Sequence, residues 1–474
     1  MTLETGVVRT ARPGRGQVAA KGRYPEFGAP LLAERRLILL ALDLAAILVA
    51  LIVAQRVAGE ATTDLSRAVV LAGTWLASAF AFECYDLRVA SRTRSSLIAI
   101  FGAIGITLLS VLALSAADVA DLRPFGTISA VGVWAIMSLG LLGAVRSGYV
   151  SLLTRPELRR RVAVVGDAAS AQDVVRLLKA EAAAEYEVVR VMTAEGAPMA
   201  DASVVDELVS SVRAQRIQEV ILASGDTDDR HLALALIELY ESGVEVRHSA
   251  DVYEELTGRV AVERLGNQWI TLLPRRPGGG RLYEAVRRGL DIVIAAALLV
   301  PAAPILGLLA VLVRIDSPGP VVFRQQRVGR LGRPFTVLKL RTMVADAETD
   351  GPVWARRTDP RRTRLGRFMR PTRLDEIPQL WNVLVGEMTL IGPRPERPEF
   401  VQMLSREIPH YRARHLVRPG LSGWAQVKFQ YAGSVEDSRL KLHYDLYYVK
   451  HRAPLLDLVI AMKTIAVLLR ARGR

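Results

Sequence analysis

Apolar and polar positions divide the chain into three regimes. In the first, four apolar stretches recur at about 37–54, 68–82, 97–117 and 125–145. A bilayer crossing takes roughly 20 apolar residues, with a range of about 17–25. The pattern therefore predicts a four-helix membrane block over 37–148, the short second stretch being the least sharply bounded. In the second regime, short apolar runs alternate with amphipathic stretches. Strand-like 161–166 precedes a helical pattern through about 184. Strand 186–193, a helix near 203–214, strand 217–224, a helix near 229–242 and strand 243–248 follow. Such alternation predicts a parallel sheet with helices on its faces. The third regime, 281–474, opens on a 22-residue uncharged run, Ile292 to Val313, with Pro301 and Pro304 at its middle. It closes on a mostly apolar stretch, 454–470, that ends in cations.

Charge then orients these elements. Residues 1–36 carry seven Lys/Arg and no apolar core, which predicts a cytoplasmic tail rather than a cleaved signal. Arg56 and Arg67 are balanced by Glu60 and Asp64, and Arg123 by Asp118 and Asp121. Arg88, Arg92 and Arg94 flank the second loop, and Arg146, Arg155, Arg159, Arg160 and Arg161 follow the fourth stretch. Positive charge accumulates on the cytoplasmic side, so both ends of this block are expected there. Asp43 is a charge inside the first stretch, facing either neighbouring helices or the interface.

The run Ile292–Val313 is basic on both flanks: Arg281, Arg287 and Arg288 before it, Arg314, Arg324, Arg327 and Arg330 after it. That favours a re-entrant helix over about 290–313, kinked at Pro301 and Pro304, with both ends cytoplasmic. A kinked spanning helix is the alternative. The 454–470 stretch fits an interfacial helix and a protein-packed helix equally well.

Composition narrows the function classes. Net charge is +14 and 51% of residues are hydrophobic, but only 6% are aromatic. Nucleic-acid binding fits poorly. Cytoplasmic loops and anionic headgroups account for most of the charge, and the remainder suits an anionic substrate. The single cysteine, Cys84, excludes a disulfide framework and a multi-cysteine metal site. The chain after Gly166 reads Asp-Ala-Ala-Ser-Ala, without the further glycines that let a pyrophosphate approach closely. The 159–273 domain, which resembles Rossmann-like domains of the CoA-binding type, is thus expected to be structural or regulatory. Pro274 to Gly280 is a linker.

The chemistry gathers beyond it. Ten Lys/Arg and four acids lie between Lys339 and Arg373. Lys339 and Arg341, two apart on a strand, share a face and so suit one phosphate. Arg356, Arg357, Arg361 and Arg362 read as a solvated or headgroup-facing surface. Asp375 and Glu376 are adjacent acids set among arginines. A carboxylate can form an acyl phosphate, and one or two carboxylates can hold magnesium against a diphosphate. Taken alone, such a pair also suits a helix N-terminus.

Five stretches, in order, carry a resemblance. They are Asp316-Ser-Pro-Gly-Pro-Val-Val-Phe-Arg-Gln-Gln-Arg-Val-Gly329, Phe335-Thr-Val-Leu-Lys-Leu-Arg-Thr-Met343, Arg373-Leu-Asp-Glu-Ile-Pro-Gln-Leu-Trp-Asn382, Leu390-Ile-Gly-Pro-Arg-Pro395 and Arg418-Pro-Gly-Leu-Ser-Gly-Trp-Ala-Gln-Val427. Residues 281–474 resemble the bacterial sugar transferases, the monotopic phosphoglycosyl transferases, and the preceding regions resemble the family's large members. The resemblance implies an α-helical four-span bundle, an α/β Rossmann-like cytoplasmic domain and a mostly α catalytic domain anchored by a re-entrant helix. It implies transfer of a sugar 1-phosphate from a UDP-sugar, glucose or galactose being suggested, to undecaprenyl phosphate at the inner membrane, with Mg2+. It places the nucleophile on Asp375 and its companion acid on Glu376, both near the metal. Phosphate-holding roles fall on Lys339, Arg341, Arg370, Arg394 and Arg418. The segment after Val427 departs from the usual Asn-Gly-Arg type, so uridine contacts are not carried over. Two rivals stay open: a non-catalytic membrane sensor or scaffold, and a multi-pass transferase using Glu83 and Asp86. The oligomeric state is open, a homodimer being one expectation.

Overall fold

The structure is a computed structural model of the chain. It describes residues 32–59, 65–116, 125, 127–153, 155–193, 202–223, 230–260, 262, 280–344, 360–429 and 434–469. Most of the basic N-terminal tail, the loop acids Glu60, Asp64, Asp118 and Asp121 with Arg123, linker residues 274–279, and Arg356 and Arg357 lie outside the described residues.

The apolar stretches form helices Leu32–Val57, Leu65–Ala81, Thr93–Ala116 and Ile128–Leu153. Three of them are long and apolar enough to cross a membrane, and so is the later helix Arg281–Asp316. Leu65–Ala81 has 17 residues, a rise of about 25 Å. Polar contacts tie three points of the block to the soluble part of the chain. At the start of the first helix, Arg35 donates to the Leu158 carbonyl. In the turn after the second helix, Arg88 donates to Glu181 at 2.6 Å and Glu83 accepts from Lys428 at 2.8 Å. The fourth helix runs directly towards strand β1 (Arg160–Gly166). The four helices are therefore two hairpins whose ends meet the soluble part on one side.

Inside the bundle, Asp43 and Arg146 form an ion pair at 2.8 Å, and neither side chain is exposed. Arg146 had been expected as a cytoplasmic flank. It is instead the buried partner that Asp43 requires, and it also donates to the Cys84 carbonyl.

The second region is a parallel sheet of β1, β2 (Tyr186–Thr193), β3 (Glu219–Leu222) and β4 (Glu245–His248), in the order β2-β1-β3-β4. Strand β1 is buried almost throughout, as a central parallel strand must be. Helix Ala168–Glu181 begins at Asp167, whose carboxylate accepts from the Ser170 amide. A helix N-terminus is where a dinucleotide phosphate would sit. Here it is already capped by a fixed negative charge, in keeping with the missing glycines. One face of the sheet shares a continuous apolar core with the membrane bundle, through Val162, Val164, Leu178 and Ile221.

The third region starts with helix Arg281–Asp316, which stays one helix through Pro301 and Pro304. The prolines lie inside it rather than between two helices. Antiparallel strands β5 (Val322–Val328) and β6 (Pro334–Leu340) follow, then helices Arg364–Thr372 and Gln379–Val385. Strands β7 (Thr389–Ile391) and β8 (Gly420–Ser422) pair in parallel. Helices Pro398–Glu407, Trp424–Lys428, Val435–His451 and Pro454–Leu469 complete the lobe. The last of these packs against Leu65–Ala81, with Ile460 fully buried and Leu455 and Leu458 exposed. One side of this helix is therefore packed on protein, and its exposed leucines are compatible with the interfacial reading of 454–470.

The Asp43–Arg146 pair yields a stability test. Asp43→Leu alone strands a buried cation and should cost about 3 kcal/mol or more. The double variant Asp43→Leu/Arg146→Leu should recover most of that loss, read as the thermal midpoint of the detergent-solubilised protein.

Candidate active site

Helix Arg364–Thr372 starts on the side-chain cap of Thr363 and ends at Arg373, which adopts a left-handed conformation with φ 57°. That reversal throws Leu374–Glu376 into a single 3-10 turn, and Pro378 then starts helix Gln379–Val385. Asp375 and Glu376 thus sit at a corner between two helices. Both are buried, at 6% and 7% exposure.

Their surroundings differ. Glu376 Oε1 accepts from Lys339 Nζ at 2.9 Å and Arg394 Nη2 at 2.6 Å, and Arg373 Nη1 lies 3.4 Å from Oε2. These cations overcome burial and hold Glu376 well below the usual carboxylate range. Asp375 accepts no hydrogen bond from, and forms no ion pair with, any described residue. Burial and the adjacent Glu376 charge raise it above its ordinary value, against the attraction of Lys339, Arg370 and Arg373. The two neighbouring acids are thus pushed in opposite directions.

The cations reach this point by identifiable means. Lys339 lies on β6, and its free edge is held by Asn382. The Asn382 amide donates to the Thr336 carbonyl and its Oδ1 accepts from the Leu338 amide. Burial, with Arg394 and Arg327 nearby, lowers the Lys339 pKa, and Glu376 opposes this. Arg370 is fixed by a bond from Nε to Thr342 Oγ1 at 3.0 Å. Arg394 follows β7, and Arg414 donates to its carbonyl. Arg414 is itself set in a buried network with Asp445, Glu396, Lys441 and Tyr411.

Two expected phosphate ligands are elsewhere. Arg341 lies one residue past the end of β6, where strand parity no longer holds. It donates to the carbonyls of Pro318, Ser317 and Val313, capping the end of the long helix. Burial lowers the Arg418 pKa, with Arg288 and Arg330 acting the same way and Glu284 and Asp291 acting against them. Its own segment serves the β7–β8 pairing, since the Thr389 amide donates to Pro419 and the Gly420 amide to Pro393. Arg361 and Arg362 are half-buried rather than a solvated surface. Conversely, Arg373 and Arg327 belong to the cluster although neither was singled out. In the hairpin register Phe323 opposes Lys339 and Arg327 opposes Phe335, so Arg327 shares the Lys339 face. The rival acids Glu83 and Asp86 are engaged elsewhere, Glu83 with Lys428 and Lys463, and Asp86 with Arg88.

Among the described residues no three or more His, Cys, Asp or Glu side chains converge to hold a metal. The Asp375–Glu376 pair fits magnesium only as phosphate-transfer sites commonly do, with one or two carboxylates and the rest from phosphate oxygens and water.

Residues 282–471 match the family model for bacterial sugar transferase, and residues 80–250 match that for a CoA-binding domain. The chain is 44% identical over 232 residues to the UDP-N-acetylgalactosamine-undecaprenyl-phosphate N-acetylgalactosaminephosphotransferase of Aeromonas hydrophila, covering 48% of this chain and 53% of that one. It is 32% identical over 355 residues to the undecaprenyl-phosphate glucose phosphotransferase of Komagataeibacter xylinus, covering 72% and 66%. With the UDP-glucose:undecaprenyl-phosphate glucose-1-phosphate transferase of Escherichia coli K12 it shares 31% identity over 341 residues, covering 70% and 73%. The chain spans between half and two thirds of the first two relatives, and nearly three quarters of the third. On these matches the chain belongs to the bacterial sugar transferase family.

Proposed function

We propose that this chain is a phosphoglycosyl transferase that moves a sugar 1-phosphate from a UDP-sugar to undecaprenyl phosphate through an Asp375 intermediate. One observation carries the reading: a buried carboxylate without a hydrogen-bond or ion-pair partner among the described residues, beside a second carboxylate engaged by three cations. An Asp375 oxygen attacks the sugar-bearing phosphorus. The bond from that phosphorus to the bridging oxygen breaks, and UMP leaves with the electron pair. An oxygen of the lipid phosphate then attacks the same phosphorus, and Asp375 departs as carboxylate. The first step splits a difficult displacement into two. Arg370, Arg373 and Arg394 face the charge that develops on the phosphate oxygens, as guanidinium groups do well. Magnesium would take Asp375 as its protein carboxylate, since three cations already engage Glu376, and would supply neutralisation of the diphosphate.

Membrane placement follows the same reasoning. The long helix exposes Leu290, Val293, Leu298, Val300, Leu308 and Val311, a surface suited to lipid. Its two ends are anchored to one lobe. Near the start, Asp291 accepts from the Thr389 hydroxyl at 2.7 Å and the Leu390 amide, and Arg288 donates to the carbonyls of Val383 and Leu384. Near the finish, Arg341 caps the helix and Asp316 accepts from the Leu365 amide. A helix crossing the bilayer would carry its ends to opposite faces, about 30 Å apart. Anchorage of both ends in one lobe supports a helix that dips into one leaflet and returns, with the lobe in the cytoplasm. There the water-soluble sugar nucleotide and the headgroup of the lipid acceptor come together.

Three outcomes test this reading. Asp375→Asn should abolish both UMP release and trapping of radiolabelled sugar phosphate on the protein, while its thermal midpoint stays the same or rises because a buried charge is gone. UMP release at the wild-type rate by this variant would refute the nucleophile.

Glu376→Gln should destabilise by about 3 kcal/mol, since three half-buried cations lose the buried anion on which they converge. Glu376 sits below its ordinary value of 4.5, so its contribution is present above that pH and fades as pH falls below it. Thermal midpoints from roughly pH 6 down to about pH 3, across and below the ordinary carboxylate range, should fall on acidification in the wild type and less steeply in the variant.

A protease site after residue 469 should be cut in inverted membrane vesicles and resist cutting in intact cells.

A further inference from the structure

We propose that Glu83 of the membrane block and Gly258 of the sheet domain position Arg394 from outside the catalytic lobe, acting through helix Trp424–Lys428. The inference rests on the reading of Arg394 as a phosphate-holding group. Helix Trp424–Lys428 is where the three regions of the chain meet. Trp424 Nε1 donates to the Gly258 carbonyl at 2.9 Å, and its ring stacks on Tyr447 at 6.0 Å between centroids. Gly258 ends helix Ser249–Thr257 with φ 67°, and a Cβ there would meet the Trp424 ring at 3.1 Å. At the other end of the short helix, Lys428 Nζ donates to Glu83 Oε1 at 2.8 Å and lies over the Trp424 ring. Glu83 also accepts from Lys463, and the adjacent Thr464 shares a 2.6 Å hydroxyl bond with Ser422 on β8. The Glu83 carboxylate thus ties the helix that follows β8 to the helix whose Thr464 bonds to it.

The route from β8 to the site has little slack. The Gly392 amide donates to the Ser422 carbonyl at 2.7 Å, and the Gly420 amide to the Pro393 carbonyl at 2.9 Å. A Cβ on Gly423 would lie 2.2 Å from the Gly392 carbonyl oxygen, so the two backbones are in direct contact. Two residues after Gly392 comes Arg394, 2.6 Å from Glu376. Any shift of Trp424–Lys428 therefore moves the loop that aims Arg394. The contacts at Glu83 and Gly258 are charge-assisted or directional and pin that helix from two other regions. They make Glu83 and Trp424 positioning residues, not catalytic ones.

The test uses the full chain in lipid nanodiscs. In Glu83→Gln, amide hydrogen exchange should quicken across 389–394 and 420–428, while the core strands β1 and β3 keep wild-type protection. Unchanged exchange at 389–394 would overturn the proposal, and this readout needs no assumption about the reaction. With UDP-glucose or UDP-N-acetylgalactosamine, whichever the wild type turns over, KM should rise roughly fivefold, the low end of coupling between distant sites. The value of kcat should fall as KM rises, since Arg394 is read as facing charge that develops on the phosphate oxygens. The charge swap Glu83→Lys/Lys428→Glu should restore KM, and failure to restore it counts against the route. Trp424→Phe, which keeps the stacking and loses the bond to Gly258, should give the same shift if Glu83→Gln cannot be purified. Absence of the shift in that variant would equally sink the idea. Loss of UMP release in the wild type itself would instead strike the proposed function and leave the exchange result standing.

Discussion

The catalytic lobe is assembled around one buried anion. Glu376 draws Lys339 from the β-hairpin, Arg373 from its own turn and Arg394 from the loop after β7. These half-buried cations could not approach so closely without it, since like charges in low dielectric repel strongly. The cluster does more than neutralise. It leaves Asp375 as the acid without a hydrogen-bond or ion-pair partner among the described residues, raised by burial and by the very charge that organises its neighbours. In the proposed reaction, a nucleophile that meets a negatively charged phosphorus centre gains from nearby cations.

The same logic of anchored ends governs the membrane element. Pro301 and Pro304 each remove a backbone donor, yet the helix continues through them. What determines its placement is the set of polar contacts at its ends: Arg287, Arg288 and Asp291 on one side, Arg341 and Asp316 on the other. Two apolar clusters reinforce them, one around Ala295, Val337 and Val383, the other around Leu309, Val313, Leu340 and Met369. Val337 and Leu340 are three residues apart on one strand, a span of about 10 Å. Both halves of the helix therefore rest on the same small hairpin.

Periodicity made much of this legible. The sheet domain follows the strands and helices read from alternation, with β2 at the expected 186–193 and β1 one residue longer than expected. Long buried parallel strands have strong apolar runs and leave little ambiguity. The acid pair and Lys339, Arg370 and Arg394 could be named because they stand in motifs, and they do converge. Arg341 and Arg418 could not be placed correctly, since their contacts are with backbone and charges far away in sequence. Arg341 caps a helix that ended 25 residues earlier, and strand parity carries no information about that. Arg373 was missed for a different reason. Its part depends on a left-handed φ that a non-glycine residue adopts only when tertiary structure holds it there.

The saturated state of Glu376 also constrains how a phosphate is held in the proposed reaction. Lys339, Arg373 and Arg394 are engaged before substrate arrives, so they cannot all turn to a diphosphate without leaving Glu376 exposed to its own burial cost. Arg370 is held instead through Thr342, and its guanidinium faces Asp375 electrostatically rather than Glu376. An incoming phosphate would share Arg394, which keeps one nitrogen on Glu376 while its planar guanidinium still offers others. Such sharing keeps Glu376 ionised throughout. A lysine at position 394 would have a single charged nitrogen to divide between Glu376 and the phosphate, which is why the fork geometry of arginine matters here.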